Sequence, residues 1–260
     1  MGATEPSTPA AVEKPDPDRV RDRLDRVNDP ELDRSLVDLD YIEQVEIDGS
    51  TVSVAFVLPT AWCSPAFAWM MATGIRDEVE SLPSVDDVTV NLEDHMHAEE
   101  ISTGVTMGKS FEEVFEDATD GIDAVRAKLD EKARFARQFE AMRALREAGL
   151  DDMQIARLTP SVVDLDFAPN VAAVSVRSST LTVTVPREPI ADYLVKARET
   201  GLVSTQSDRL FADREGEPLD ADPKTVAAVY REARLASSNI EGQGTICASL
   251  HESRNGAESD

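Results

Sequence analysis

Cys63 is the residue in this 260-residue chain whose setting points most directly to chemistry. It stands in Leu58-Pro59-Thr60-Ala61-Trp62-Cys63-Ser64-Pro65, between two segments of opposite periodicity. Before it, Val52, Val54, Phe56 and Leu58 alternate with Thr51, Ser53, Ala55 and Val57, the period of two expected of a strand. After it, Phe67, Met70, Met71, Ile75, Val79 and Leu82 recur at helical spacing, with Arg76, Asp77, Glu78 and Glu80 opposite. Ser64 fits an N-cap, and Pro65 fits the first helical position, where a missing N–H costs nothing. A thiol just ahead of a helix N-terminus faces free N–H groups and the positive end of the helix dipole. Its pKa is expected to fall below the usual ~8.5, and the thiolate is both a nucleophile and a soft metal ligand. The competing reading is a small buried residue that fills a gap.

Other candidate ligands follow the third strand. Glu93-Asp94-His95-Met96-His97-Ala98-Glu99-Glu100 holds two of the three histidines, and His-x-His beside carboxylates can bind a metal. A solvated turn is the commoner meaning of such a stretch in an acidic chain. If the loop folds back over the sheet edge, His95 or His97 supplements Cys63. The second cysteine, Cys247, lies in Gly244-Thr245-Ile246-Cys247-Ala248 and reads as structural unless the fold brings it near Cys63.

The elements that must position Cys63 can be read in order. Val20, Leu24 and Val27 mark a short helix behind Asp16-Pro17, ending at Asn28-Asp29-Pro30-Glu31. Leu36, Val37 and Leu39 lead into a strand from Tyr41 to Ile47, and Asp48-Gly49 supplies a hairpin turn. The cysteine-bearing strand and helix follow, and Val88, Val90 and Leu92 form a third strand. The result is an α-β-β-α-β domain of mixed α+β class, a small three-stranded sheet with helices on one side. Loop ends are the natural place for its site.

Beyond it, helices are expected at Ser110 to Ala118, Ile122 to Leu145 with Gly149 as C-cap, and Leu150 to Leu158. The stretch from Leu145 to Ala156 resembles the opening of a helix-turn-helix. The following Ser161 to Phe167 is acidic and apolar, unlike a recognition helix, so a plain helical hairpin is the better reading. Val174 to Val185 suggests a hairpin turning at Ser178-Ser179, followed by a helix from Pro189 to Ala197 with Gly201 as its stop. A last helix starts at Asp222-Pro223. The division expected is a disordered lead-in over 1–16, the cysteine domain over 17–100, a helical linker over 101–160, a second small α/β unit over 161–248, and a disordered tail over 249–260.

Composition narrows the functions. The formal charge of −25, from 26 basic and 51 acidic residues, argues against gripping a phosphate backbone, so no nucleic-acid partner is expected. Only six of the basic residues are lysine, and the acidic ones are spread along the chain. This is the pattern of salt-loving proteins, in which salt screens self-repulsion. An acidic face aimed at a basic partner is the alternative. No apolar run approaches the ~20 residues that cross a bilayer, and two distant cysteines without a secretory segment fit a cytoplasmic protein with free thiols.

Taken together, residues 18–95 resemble the SufT and PaaD type of iron–sulfur cluster assembly domain. The resemblance rests on the opening helix, Asp29-Pro30-Glu31, Ser35-Leu36-Val37-Asp38-Leu39 before a strand, the hairpin, the Thr60 to Pro65 loop, and Leu82-Pro83-Ser84-Val85-Asp86-Asp87-Val88. One departure is Ser64, which intervenes where many relatives place Pro directly after the cysteine. The resemblance implies an accessory factor that matures iron–sulfur or other iron proteins, not an enzyme. Its functional centre would be Cys63, with Asp29, Glu31 and Thr60 beside it, and its cargo iron or an iron–sulfur cluster held transiently. Partners would be client metalloproteins or other assembly proteins, or a second copy. The Trp-Cys-Ser-Pro loop with Asp94-His95 resembles proteins found alongside multicomponent diiron monooxygenases. One thiolate cannot hold a cluster, which usually takes four protein ligands, so a cluster would be shared between chains or completed by a partner. Two other readings stay open, an adaptor in which Cys63 only packs, and a thiol enzyme with His95 or His97 as base. The second lacks an evident oxyanion hole.

Overall fold

The structure is a computed structural model and describes residues 14–116, 121–176 and 180–257, with side chains as far as His251. Most of the expected lead-in, Ala118, the Ser178-Ser179 turn and residues 258–260 of the tail lie outside the described residues. The fold is of mixed α+β class and divides into two compact units, residues 1–122 with 247–260, and residues 123–246. The first unit takes in residues 101–122, and the division falls within the segment expected to be a linker.

In the first unit, α1 (Pro17–Leu24) opens at Asp16, whose carboxylate accepts from the Asp18 N–H. Two-residue strands β1 (Asn28–Asp29) and β2 (Arg34–Ser35) pair antiparallel and close a tight excursion. Strand β3 (Ile42–Asp48) turns at Gly49, φ 61°, into β4 (Thr51–Val57). Helix α2 (Pro65–Glu80) crosses over to β5 (Asp87–Glu93), which pairs parallel with β4 from Thr51↔Asp87 to Val57↔Glu93. The sheet order is β3-β4-β5, so the cysteine-bearing strand is central. Val52, Val54, Phe56 and Leu58 are buried as the alternation requires, and Ala55 and Val57 are buried as well.

Residues after β5 differ from expectation. Helix α3 (Ala98–Thr106) follows at once, and α4 (Phe111–Val114) is shorter than its sequence suggests. Both join the core of the first unit, with Ile101, Val105 and Phe111 buried beside Trp69. The join is close, since a Cβ on Gly104 would lie 2.8 Å from the Trp69 ring and 2.7 Å from Val114.

The second unit is built on α5 (Ile122–Glu147), capped where Gly149 takes φ 93°. After α6 (Asp152–Ile155), the acidic and apolar stretch read above only as no recognition helix forms β6 (Val163–Ala168). It pairs with β7 (Val171–Val176), which pairs in turn with β8 (Leu181–Pro186). Helix α7 (Arg187–Glu199) stops at Gly201, φ 77°. Phe139, Met142, Leu145, Val174, Tyr193 and Phe211 share one core. Within it, the fully buried Arg134 donates to Glu131, Gln138 and the Asp213 carbonyl, so its charge is matched and its donors are used. The last helix, α8 (Pro223–Ala257), continues well past Ser249, where polar composition alone suggests a tail.

Candidate functional site

Because β4 and β5 run parallel, the loops that leave them emerge at the same edge of the sheet. One carries Cys63 and the other His95. The cysteine loop is held by its own short-range bonds, since the Trp62 N–H donates to Thr60 Oγ1 at 3.3 Å and the Cys63 N–H to the Thr60 carbonyl at 3.4 Å. Thr60 Oγ1 also lies 3.4 Å from Cys63 Sγ, within hydrogen-bond reach for sulfur. Thr60 therefore both shapes the loop and contacts the thiol.

The post-β5 loop clamps the other side. Met96 N–H donates to the Ala61 carbonyl at 3.1 Å, and Asp94 takes a left-handed turn at φ 50°. His95 is buried, and its Nδ1 accepts the His97 N–H at 3.2 Å. Its Nε2 then carries the proton and donates to the Cys63 carbonyl at 2.9 Å. Thus both ring nitrogens of His95 are engaged with backbone, and the ring fixes the cysteine loop. His97 lies with its ring edge against Phe115, 5.4 Å between centroids, and its Nδ1 is 3.6 Å from the Glu100 carboxylate.

Cys63 itself is half-buried and in no disulfide. Helix α2 begins two residues on, with Ser64 at the N-cap position. The Ser64 side chain makes no capping bond. Its carbonyl accepts from the Phe67 and Ala68 N–H groups instead. Trp62, next to the thiol, is 77 % exposed, a large apolar side chain left in solvent.

Asp29 is buried, and its Oδ1 accepts the N–H groups of Glu31 at 2.8 Å and Leu32 at 3.0 Å. That bond pattern explains why an acidic residue heads the Asp-Pro-Glu turn. Val27, just before it, packs so closely on α2 that a Cβ on Gly74 would lie 2.9 Å away. Tyr41 connects this excursion to the cysteine strand, because its carbonyl accepts the Val57 N–H at 2.9 Å and its own N–H donates to the Leu36 carbonyl. Sequence reading placed Tyr41 only at the start of a strand.

Electrostatics tie these groups together. Burial pushes the Tyr41 phenol far up, and the negative charges of Asp29, Cys247 and Cys63 act in the same direction. Burial likewise raises the Cys247 thiol, with Asp29, Cys63 and Glu31 adding to it. Cys63, Cys247, Asp29, Glu31 and Tyr41 therefore share one neighbourhood. The sequence offered a signal for this only in the rarity of cysteine. Among the described residues, no three His, Cys, Asp or Glu side chains come together in a group that could hold a metal ion, and no helix is long and apolar enough to cross a membrane.

A three-stranded sheet with a thiol in the loop where parallel strands end, that loop braced by a buried histidine, defines a small α+β domain with Cys63 as the candidate centre. Residues 17–92 match the model of the iron–sulfur cluster assembly protein family, and residues 93–260 lie outside that match. The matched span contains Asp29, Glu31, Tyr41, Thr60 and Cys63, which links this domain to iron–sulfur cluster assembly. No curated protein and no solved structure matches the chain.

Proposed function

We propose that the protein is a cytoplasmic accessory factor of the SufT and PaaD type, which uses Cys63 to carry or pass iron or an iron–sulfur cluster to client metalloproteins. The observation that carries this reading is the family match over the segment in which Cys63 stands half-buried at a loop edge. A half-buried thiol can take a soft metal and still release it to a partner. Thr60 and the His95 clamp keep the loop in one shape, so the thiol is presented the same way to each partner. The role is one of transfer between proteins rather than turnover of a metabolite. Its client could be the diiron hydroxylase of a multicomponent monooxygenase, and a second copy of the chain could complete a shared cluster.

The test is anaerobic reconstitution of the full chain with iron and sulfide, comparing wild type with Cys63→Ser by visible absorbance and iron content. Uptake in wild type that the variant loses supports direct carriage. No uptake in wild type defeats carriage and leaves an adaptor that docks clients through the exposed Trp62 loop.

A further inference from the structure

The chain has only two cysteines, far apart in sequence, yet both belong to the first unit. Cys247 lies on the final turns of α8, outside the span that matches the assembly family. One helical turn further on, and so on the same face, is His251. The His251 ring is buried and lies 5.6 Å from the Tyr41 ring at an interplanar angle of 58°. The Cys247 face of α8 is thereby set against Tyr41, whose backbone is bonded to the end of the cysteine strand.

Tyr41 supplies the second observation. Its side chain is only 1 % exposed, and its hydroxyl has no hydrogen-bond partner among the described residues. A buried hydroxyl left unpaired is costly, and its persistence calls for a partner that arrives later. Asp29, Cys247 and Cys63 are all close enough for their charges to act on that hydroxyl. An acceptor such as a metal-bound thiolate or sulfide would use the O–H.

We propose that Cys247 is the second thiol of the Cys63 site, so that one chain grips a thiophilic metal centre, ferrous iron or an iron of a cluster, between two sulfurs beneath the Tyr41 hydroxyl. This rests on the iron-handling reading above. Two thiolates select a soft metal over magnesium or calcium, and they leave coordination positions open for a donor or client protein. The centre is held more firmly than by one thiolate and less firmly than in a closed four-ligand site. Binding displaces one proton from each thiol and changes no oxidation state.

The experiment uses cobalt(II) as an anaerobic probe on the full chain. Charge-transfer absorbance from sulfur to cobalt reports the number of thiolates on the metal, and titration reports affinity. Wild type should show a band that falls by about half in Cys63→Ser and in Cys247→Ser, each binding at least about tenfold more weakly. Tyr41→Phe should keep the full band and bind more weakly. In wild type, bound cobalt should protect both cysteines from maleimide, measured peptide by peptide, which requires no variant to fold. If Cys247→Ser keeps the wild-type band and affinity, or cobalt protects Cys63 alone, the assignment of Cys247 is overturned while Cys63 carriage stands. If wild type binds no cobalt, the two-sulfur site fails, and Cys63 carriage of a cluster is decided separately by the iron and sulfide reconstitution.

Discussion

Two tyrosines separate a hydroxyl kept for stability from one that the fold tolerates. Tyr193 is fully buried and donates to the Leu210 carbonyl and toward Gln138, so Tyr193→Phe should cost about 1–3 kcal/mol in a denaturant melt. Tyr41→Phe removes a hydroxyl without a partner among the described residues and should leave stability unchanged or raise it. Both phenols, and the Cys247 thiol, are pushed up by burial. A group whose pKa is raised by folding contributes stability that is complete below its unfolded value and is lost as pH rises through the folded one. For Cys247 the loss begins above about 8.5, and for the tyrosines above about 10. The alkaline limb of Tm against pH should therefore flatten in Cys247→Ser and in Tyr41→Phe. At the site, His95→Ala should release the Cys63 carbonyl and the His97 N–H, costing about 1–3 kcal/mol and broadening the loop's amide signals. Asp29→Asn keeps an oxygen for the Glu31 and Leu32 N–H groups while removing a charge that raises the Cys247 thiol. Alkylation of Cys247 near neutral pH should then accelerate, whereas Asp29→Ala should also loosen the turn.

Among elements, Gly104 decides how closely α3 can approach α2. Replacing a helical glycine by alanine ordinarily gains about 1 kcal/mol, but here the new methyl would meet Trp69 and Val114 at under 3.0 Å. Gly104→Ala should instead destabilise by about 1–3 kcal/mol, read from the thermal melt together with the near-UV signal of Trp69. The same contact marks the boundary of what the sequence made legible. Strands β3, β4 and β5 and helix α2 announced themselves, because one apolar face repeating at two or 3.6 residues has few alternative readings. Helix α3 was hidden because His95, His97 and four acidic residues precede its apolar positions, and such composition matches a solvated turn equally well. Strand β6 was hidden because its alternation runs through Asp164 and Asp166, on a strand with much of its surface in solvent. At the site, the Cys63 loop was readable from local pattern, whereas Asp29 entered only through the family resemblance. The Tyr41 hydroxyl and Cys247 were not, since their roles depend on long-range placement that no spacing encodes.

For the molecule as a whole, charge is the leading variable. At −25, self-repulsion opposes compaction, and the Debye length shortens from ~8 Å at 0.15 M salt to ~3 Å at 1 M. Tm should rise with potassium chloride across that range. A fall would mean that local pairs such as Lys196 with Asp130 or Arg146 with Asp152 outweigh the general repulsion. In acid, Asp208, Asp222 and Glu112 behave in the opposite sense to the tyrosines. Backbone N–H groups hold their carboxyls below the usual range, so their contribution is present above about 4 and lost as pH falls through the depressed values.

The distance between the two cysteines along the chain also imposes an order in time. Every described residue in the hydrophobic core of the first unit precedes residue 123, so that core can close before the end of α8 has been synthesised. Cys63 is therefore in place on a growing chain while Cys247 is still to come. A nascent polypeptide offers metal a single sulfur, and only the finished protein can close the pair.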